Sequence, residues 1–124
     1  MKLRIHGDSI RLRLSRSEVA DFGQHGRVED TVHFGPGVAL VYALESAPDA
    51  GSTRAVFDAG AIRIIVPSQA ARQWTTTDQE GITAEETLDN KRRLSIVIEK
   101  DFKCIHKPGD ADEDAFPNPL AARN

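Results

Sequence analysis

The sequence predicts an α+β fold: a ββαββ unit used twice, giving eight strands and two short helices about a pseudo-twofold axis. Three observations predict it. First, apolar residues recur in the same phase in both halves. With Ile10 set over Ile62, Arg11 falls on Arg63, Leu12 on Ile64, Leu14 on Val66, Val19 on Ala71 and Phe22 on Trp74. After a two-residue insertion Val28 meets Ile82, Phe34 meets Leu88, Leu40 meets Leu94, Leu44 meets Ile98 and Glu45 meets Glu99. A repeat of half the chain is one duplication, not a solenoid. Second, short turn-forming stretches (HGD, GPG, DAG and DNK) separate runs with strand alternation. Third, a helix start follows the second strand of each half.

The elements follow in order. KLRI and SIRLRL flank HGD and read as a hairpin. Ser15 and Glu18 then have the spacing of a capping box, in which hydroxyl and carboxylate satisfy free N–H groups of the first helical turn. Val19 and Phe22 share a helix face, and Gly23 and Gly26 end the helix. RVEDTVHF and VALVYALE form a second hairpin across GPG. RAVF and AIRIIV repeat the first hairpin. Pro67 and Ser68 open the second helix, Ala70, Ala71 and Trp74 face inward, and the run Thr75–Thr77 closes it. GITAEETL and RRLSIVIEK complete the second half across DNK.

One domain, 1–124, is expected, with a first half 1–46, a linker 47–53, a second half 54–101 and a tail 102–124. Neither half of about 50 residues buries enough surface to fold alone. The two are expected to shield each other in one antiparallel eight-stranded sheet or barrel, with the helices over one side. Closure into a barrel would remove exposed strand edges.

Composition narrows the function classes. The net charge of −3 gives no general pull toward nucleic acid or anionic lipid, so neither is expected as a partner. A single cysteine, Cys104, rules out an intramolecular disulfide and fits a reducing compartment. No apolar run has the length of a signal peptide or a membrane span. A cytoplasmic protein without a cofactor is expected. There is no phosphate-binding glycine loop, no G-x-S-x-G elbow and no H-E-x-x-H pair. LSRSEVADF reads as one helix between strand pairs rather than a DNA-reading motif, and Glu18 and Asp21 would repel phosphate.

Strand alternation sets Ile10, Leu12 and Leu14, and their counterparts Ile62, Ile64 and Val66, toward the core. The opposite face collects Arg11, Arg13, Arg63, Glu45 and Glu99 among Val41, Ile65 and Val97. Three readings follow. The first is a solvated face with cross-strand ion pairs. The second is a homodimer or protein-partner interface, because three apolar side chains are costly to leave wet. The third is a barrel interior whose arginines hold a small anion, phosphate or carboxylate, as a binder or enzyme. That third arrangement resembles the triphosphate tunnel enzymes in outline, but their first-strand motif of glutamates and a lysine is absent from MKLRIHG. The leading expectation is a non-enzymatic, dimeric binding or interaction module using this face.

In the tail, Cys104 and His106 lie two apart, and in an extended segment both point the same way, as two zinc ligands would. A structural site needs four ligands, so a buried thiol and a surface histidine are the simpler reading. The acidic stretch DADEDAFPNP lacks the spacing of a calcium loop.

The segments MKLRIHGDSIRLRLSRSEV and IEKDFKCIHK, with the later DEDAFPNP, resemble a family of short bacterial proteins without assigned function. The resemblance spans nearly the whole chain and implies a free-standing cytosolic protein of one domain. It implies no catalytic residues.

Overall fold

The computed structural model describes residues 1–102 and Phe116. Its elements are β1 (Lys2–Ile5), β2 (Ser9–Leu14), α1 (Arg16–His25), β3 (Arg27–Gly35), β4 (Val38–Ala47), β5 (Arg54–Asp58), β6 (Ala61–Pro67), α2 (Ser68–Thr76), β7 (Gly81–Thr87) and β8 (Arg93–Lys100). The order strand–strand–helix–strand–strand thus occurs twice. The fold is α+β, with two helices and eight strands among the described residues.

Among the described residues the strands do not form the expected antiparallel eight-stranded sheet, and they close no barrel. They form two four-stranded mixed sheets, ordered β1-β2-β8-β7 and β3-β4-β6-β5. Each sheet takes one hairpin from each half, and the inner strands run parallel: β2 with β8, and β4 with β6. The reason is directional. All four hairpins turn at the same end of the molecule, so the second strand of each runs away from that end. When two hairpins abut through their second strands, those strands must run parallel. The registers agree, with Leu12 opposite Ile98 and Leu44 opposite Ile64.

The apolar faces of the two sheets cover each other, which replaces the expected arrangement of one sheet under two helices. Leu12, Leu14, Leu44, Ile64, Val66, Ile96 and Ile98 are almost wholly buried in one cluster. Along one seam the Met1 ammonium reaches Glu18 and lies 2.7 Å from Asp30, and the Tyr42 hydroxyl donates to the Met1 carbonyl at 2.9 Å. Along the other, the Ala55 N–H donates to Glu86 Oε1 at 3.1 Å.

The helices lie at the end opposite the hairpin turns, where they link strand ends. The capping box of α1 forms as expected: Ser15 Oγ accepts from the Glu18 N–H, and Glu18 Oε1 accepts from the Ser15 N–H at 2.9 Å. Gly26 at φ 74° ends the helix in the left-handed conformation, donating to the Phe22 carbonyl. Gly23 lies inside α1 rather than at its end, where a side chain would press on Thr75 of α2. α2 begins after Pro67, and Thr77 follows its last turn. Lys100, the one buried charged residue among those described, donates from Nζ to the Thr77 carbonyl at 2.8 Å, a cation at the helix C-terminus. The Phe116 N–H donates to the Asp101 carbonyl at 2.7 Å.

No helix among the described residues is long and apolar enough to cross a membrane.

Candidate binding surfaces

The five charged residues singled out by alternation do not share one face. Arg11, Arg13 and Glu99 lie on the outer face of the β1-β2-β8-β7 sheet. Glu45 and Arg63 lie on the outer face of the other sheet, across the core. With no closed barrel, none of them faces an enclosed interior.

Each glutamate is held by arginines of its own sheet. Arg13 donates from Nε and Nη2 to Glu99 Oε1 at 3.0 and 2.8 Å, and Arg11 Nη1 stands 3.7 Å away. Arg63 forks onto Glu45 with Nη2 to Oε1 at 2.8 Å and Nε to Oε2 at 3.1 Å, and Arg27 Nε reaches Oε2 at 3.0 Å. The Arg63 hydrogen bonds hold the Glu45 carboxyl below the usual carboxylate range; partial burial opposes them and Arg27 adds to them. Of the apolar residues on these faces, Ile65 is buried, while Val41 and Val97 are half-buried.

The sheet faces are unequal in charge. On the first, Lys2, Arg4, Arg11, Arg13 and Arg93 stand with Glu85 and Glu99. On the second, Arg27, Arg54 and Arg63 are matched by Glu29, Glu45 and Asp58. Alternation in KLRI places Lys2 and Arg4 beside Arg11 and Arg13, and the hairpin register follows from the HGD turn, so this concentration of cations was readable in the sequence.

A third surface lies at the hairpin end. Between the sheets opens a cleft of about 440 Å³ walled by Ile5, Ile10, Leu40, Ala55, Val56, Phe57, Ile62 and Leu94. Large apolar residues surround it at the turns: Ile5, Phe34, Phe57 and Leu88 are 56%, 68%, 74% and 51% exposed, and Val38 57%. Sequence reasoning treated these residues as strand ends. The signal was present, since a large apolar residue immediately precedes each of the four turns.

Among the described residues no three His, Cys, Asp or Glu side chains are grouped to hold a metal ion. Cys104 and His106, the zinc candidates, lie outside the described residues.

Compared with protein-family models, residues 1–120 match one described as a family of unknown function, DUF7009. No curated protein and no solved structure matches the chain.

Proposed function

The chain belongs to this family of unknown function, and we propose that it is a non-enzymatic interaction module that pairs with a second copy of itself through its hairpin end. The single observation that carries the reading is the ring of exposed apolar side chains at that end. Ile5, Phe34, Val38, Phe57 and Leu88 each expose more than half their surface. Together they present on the order of 500 Å² of apolar area, judged from the size of such side chains. That reaches the upper range for the largest patch on a monomer, and the cleft walls bring it toward the ~800 Å² per partner of a standard interface. The cleft is lined by aliphatic and aromatic side chains without an acid or base, which favours docking over catalysis.

We also infer that the chain arose by internal duplication, and this bears on the partner. Offset by 52 residues, Ile5 corresponds to Phe57 and Ile10 to Ile62; offset by 54, Leu40 corresponds to Leu94 and Phe34 to Leu88. The cleft is therefore lined by corresponding residues from both halves. A surface that already has a near-twofold arrangement suits an isologous contact with a copy turned about a perpendicular axis. The single cysteine suits a reducing, cytoplasmic setting.

Sedimentation equilibrium or native mass spectrometry tests the reading. The wild-type chain is expected to be a dimer at micromolar concentration, and Phe34→Asp with Phe57→Asp a folded monomer by circular dichroism. A wild-type chain that stays monomeric as its concentration rises, or a dimer unaffected by both substitutions, overturns it.

A further inference from the structure

The β1–β2 hairpin carries a charge arrangement that its own fold does not balance. Its register sets Arg4 directly opposite Arg11 and Lys2 directly opposite Arg13. Like charges at directly opposed positions destabilise a strand pair. Here two such pairs are neighbours, so four cations rise from a rectangle of about 5 by 7 Å at its base. The local counter-charges are few. Glu99 serves both Arg13 and Arg11, and Asp101 lies 3.2 Å from Lys2 Nζ. Arg4 is exposed and has no hydrogen bond or ion pair among the described residues. The block keeps an excess of positive charge in a chain whose net charge is −3.

The corresponding hairpin of the second half serves as an internal comparison. There Val56 stands opposite Arg63, and Arg54 opposite Ile65, so no cation faces a cation. The concentration of charge is therefore not a requirement of this hairpin's place in the fold. The surface is also shaped. Lys2, Arg4, Arg11 and Arg13 enclose a depression of about 170 Å³, and Arg4, His6, Ser9 and Arg11 a second of about 210 Å³ that shares Arg4 and Arg11 with it. Two adjacent basins bounded by guanidinium groups match two oxyanions spaced by about the two-residue, same-face repeat of a strand, each positioned for forked hydrogen bonds.

We propose that the outer face of the β1–β2 hairpin is a binding site for a small polyanion, a ligand carrying two or more phosphate or carboxylate groups about 5–7 Å apart. Arg4 and Arg11 border both basins and hold the shared position; Lys2 and Arg13 close one side, and His6 and Ser9 the other.

Calorimetric titration of the full chain at constant ionic strength tests this, with tripolyphosphate, citrate and inorganic phosphate as probes. Saturable binding of tripolyphosphate or citrate is expected, and weaker binding of inorganic phosphate. Preference between the first two assigns the source of the oxyanions. Arg4→Ala and Arg11→Ala should each weaken binding by about tenfold or more, the usual effect of losing a charge-assisted hydrogen bond. Arg54→Ala on the other sheet should leave it unchanged. Without ligand, Arg4→Ala should melt no lower than wild type, because it relieves a repulsion. That readout separates a ligand site from a structural role. No saturable binding by any probe, or undiminished binding in the Arg4→Ala, Arg11→Ala double variant, overturns the proposal. So does binding to a short DNA duplex tighter than to tripolyphosphate, which would assign the face to a macromolecule.

Discussion

Phe22 and Trp74 meet edge to face, their ring centroids 6.1 Å apart and their planes inclined at 61°. One comes from each helix, and both are essentially without solvent exposure. The Trp74 indole N–H is satisfied by the Glu80 carbonyl at 3.2 Å. This contact closes the helix end of the molecule just as the apolar side chains leave the hairpin end open. It joins the two halves through one aromatic side chain from each helix.

Removing one ring should therefore cost more than a surface change of equal size. Phe22→Ala is expected to destabilise by about 3–5 kcal/mol, and Phe22→Leu by less, since leucine refills part of the void. Trp74 is the single tryptophan, so its emission reports on this junction during urea unfolding. A Phe22→Ala chain that unfolds at nearly the wild-type urea concentration would show that the helices do not depend on each other there.

The exchange of hairpins between sheets leads to a second expectation. Each sheet is completed by a parallel pair drawn from both halves, β2 with β8 and β4 with β6. Fragments 1–52 and 53–124 should each lack a cooperative unfolding transition, because each retains one helix and only half of each sheet, a two-stranded hairpin per layer. Mixed in equal amounts, they should recover strand and helix signals in circular dichroism. A cooperative transition in either fragment alone would mean that a half buries enough surface by itself.

What could be read in advance divides along the same line. Turns and capping are local: Ser15 with Glu18, and the residues of the four turns, fix the hairpins and the first helix wherever the chain goes. Alternation is nearly local, and it placed Leu12, Ile64, Leu44 and Ile98 inward. The neighbour of an inner strand is not local. Nothing in SIRLRL states that its free edge meets β8 rather than β4, and side chains on a strand alternate alike in parallel and antiparallel partners. Arg11 and Arg63 were therefore expected on one face and lie on two. The apolar residues at the hairpin tips carry no signal singly, since each ends a strand in an ordinary way. Only the common direction of all four hairpins gathers them at one end.

The turn between β5 and β6 holds a small amount of strain. Ala59 has φ 51° and Gly60 φ 74°, so a two-residue hairpin turn has both central residues in the left-handed region. Glycine meets that requirement freely, whereas alanine gives up about 1 kcal/mol or more to its Cβ. Ala59→Gly should stabilise the protein by about 0.5–1 kcal/mol, and Ala59→Val should destabilise it, because a β-branched residue fits there worst. Thermal melting of the three chains in parallel checks the order. Equal melting temperatures for the glycine and valine variants would contradict the turn geometry.

Glu45 gives the fold a predictable response to acid. Its carboxylate lies between the Arg63 fork and Arg27 and is about four-fifths shielded. Those partners favour the charged form, so its folded pKa lies below the unfolded value. A group depressed in this way adds stability above the unfolded carboxylate pKa, and that contribution falls away as pH drops through the lower, folded value. Stability measured by urea unfolding at a series of acidic pH values should thus fall for the wild-type chain below the ordinary carboxylate range. Glu45→Gln should be less stable at neutral pH and should lose less on acidification, so the two curves converge at low pH. Arg63→Met should produce the same flattening from the other side of the pair. Parallel curves for wild type and Glu45→Gln over the whole acid range would mean that the Arg63 fork does not hold in solution.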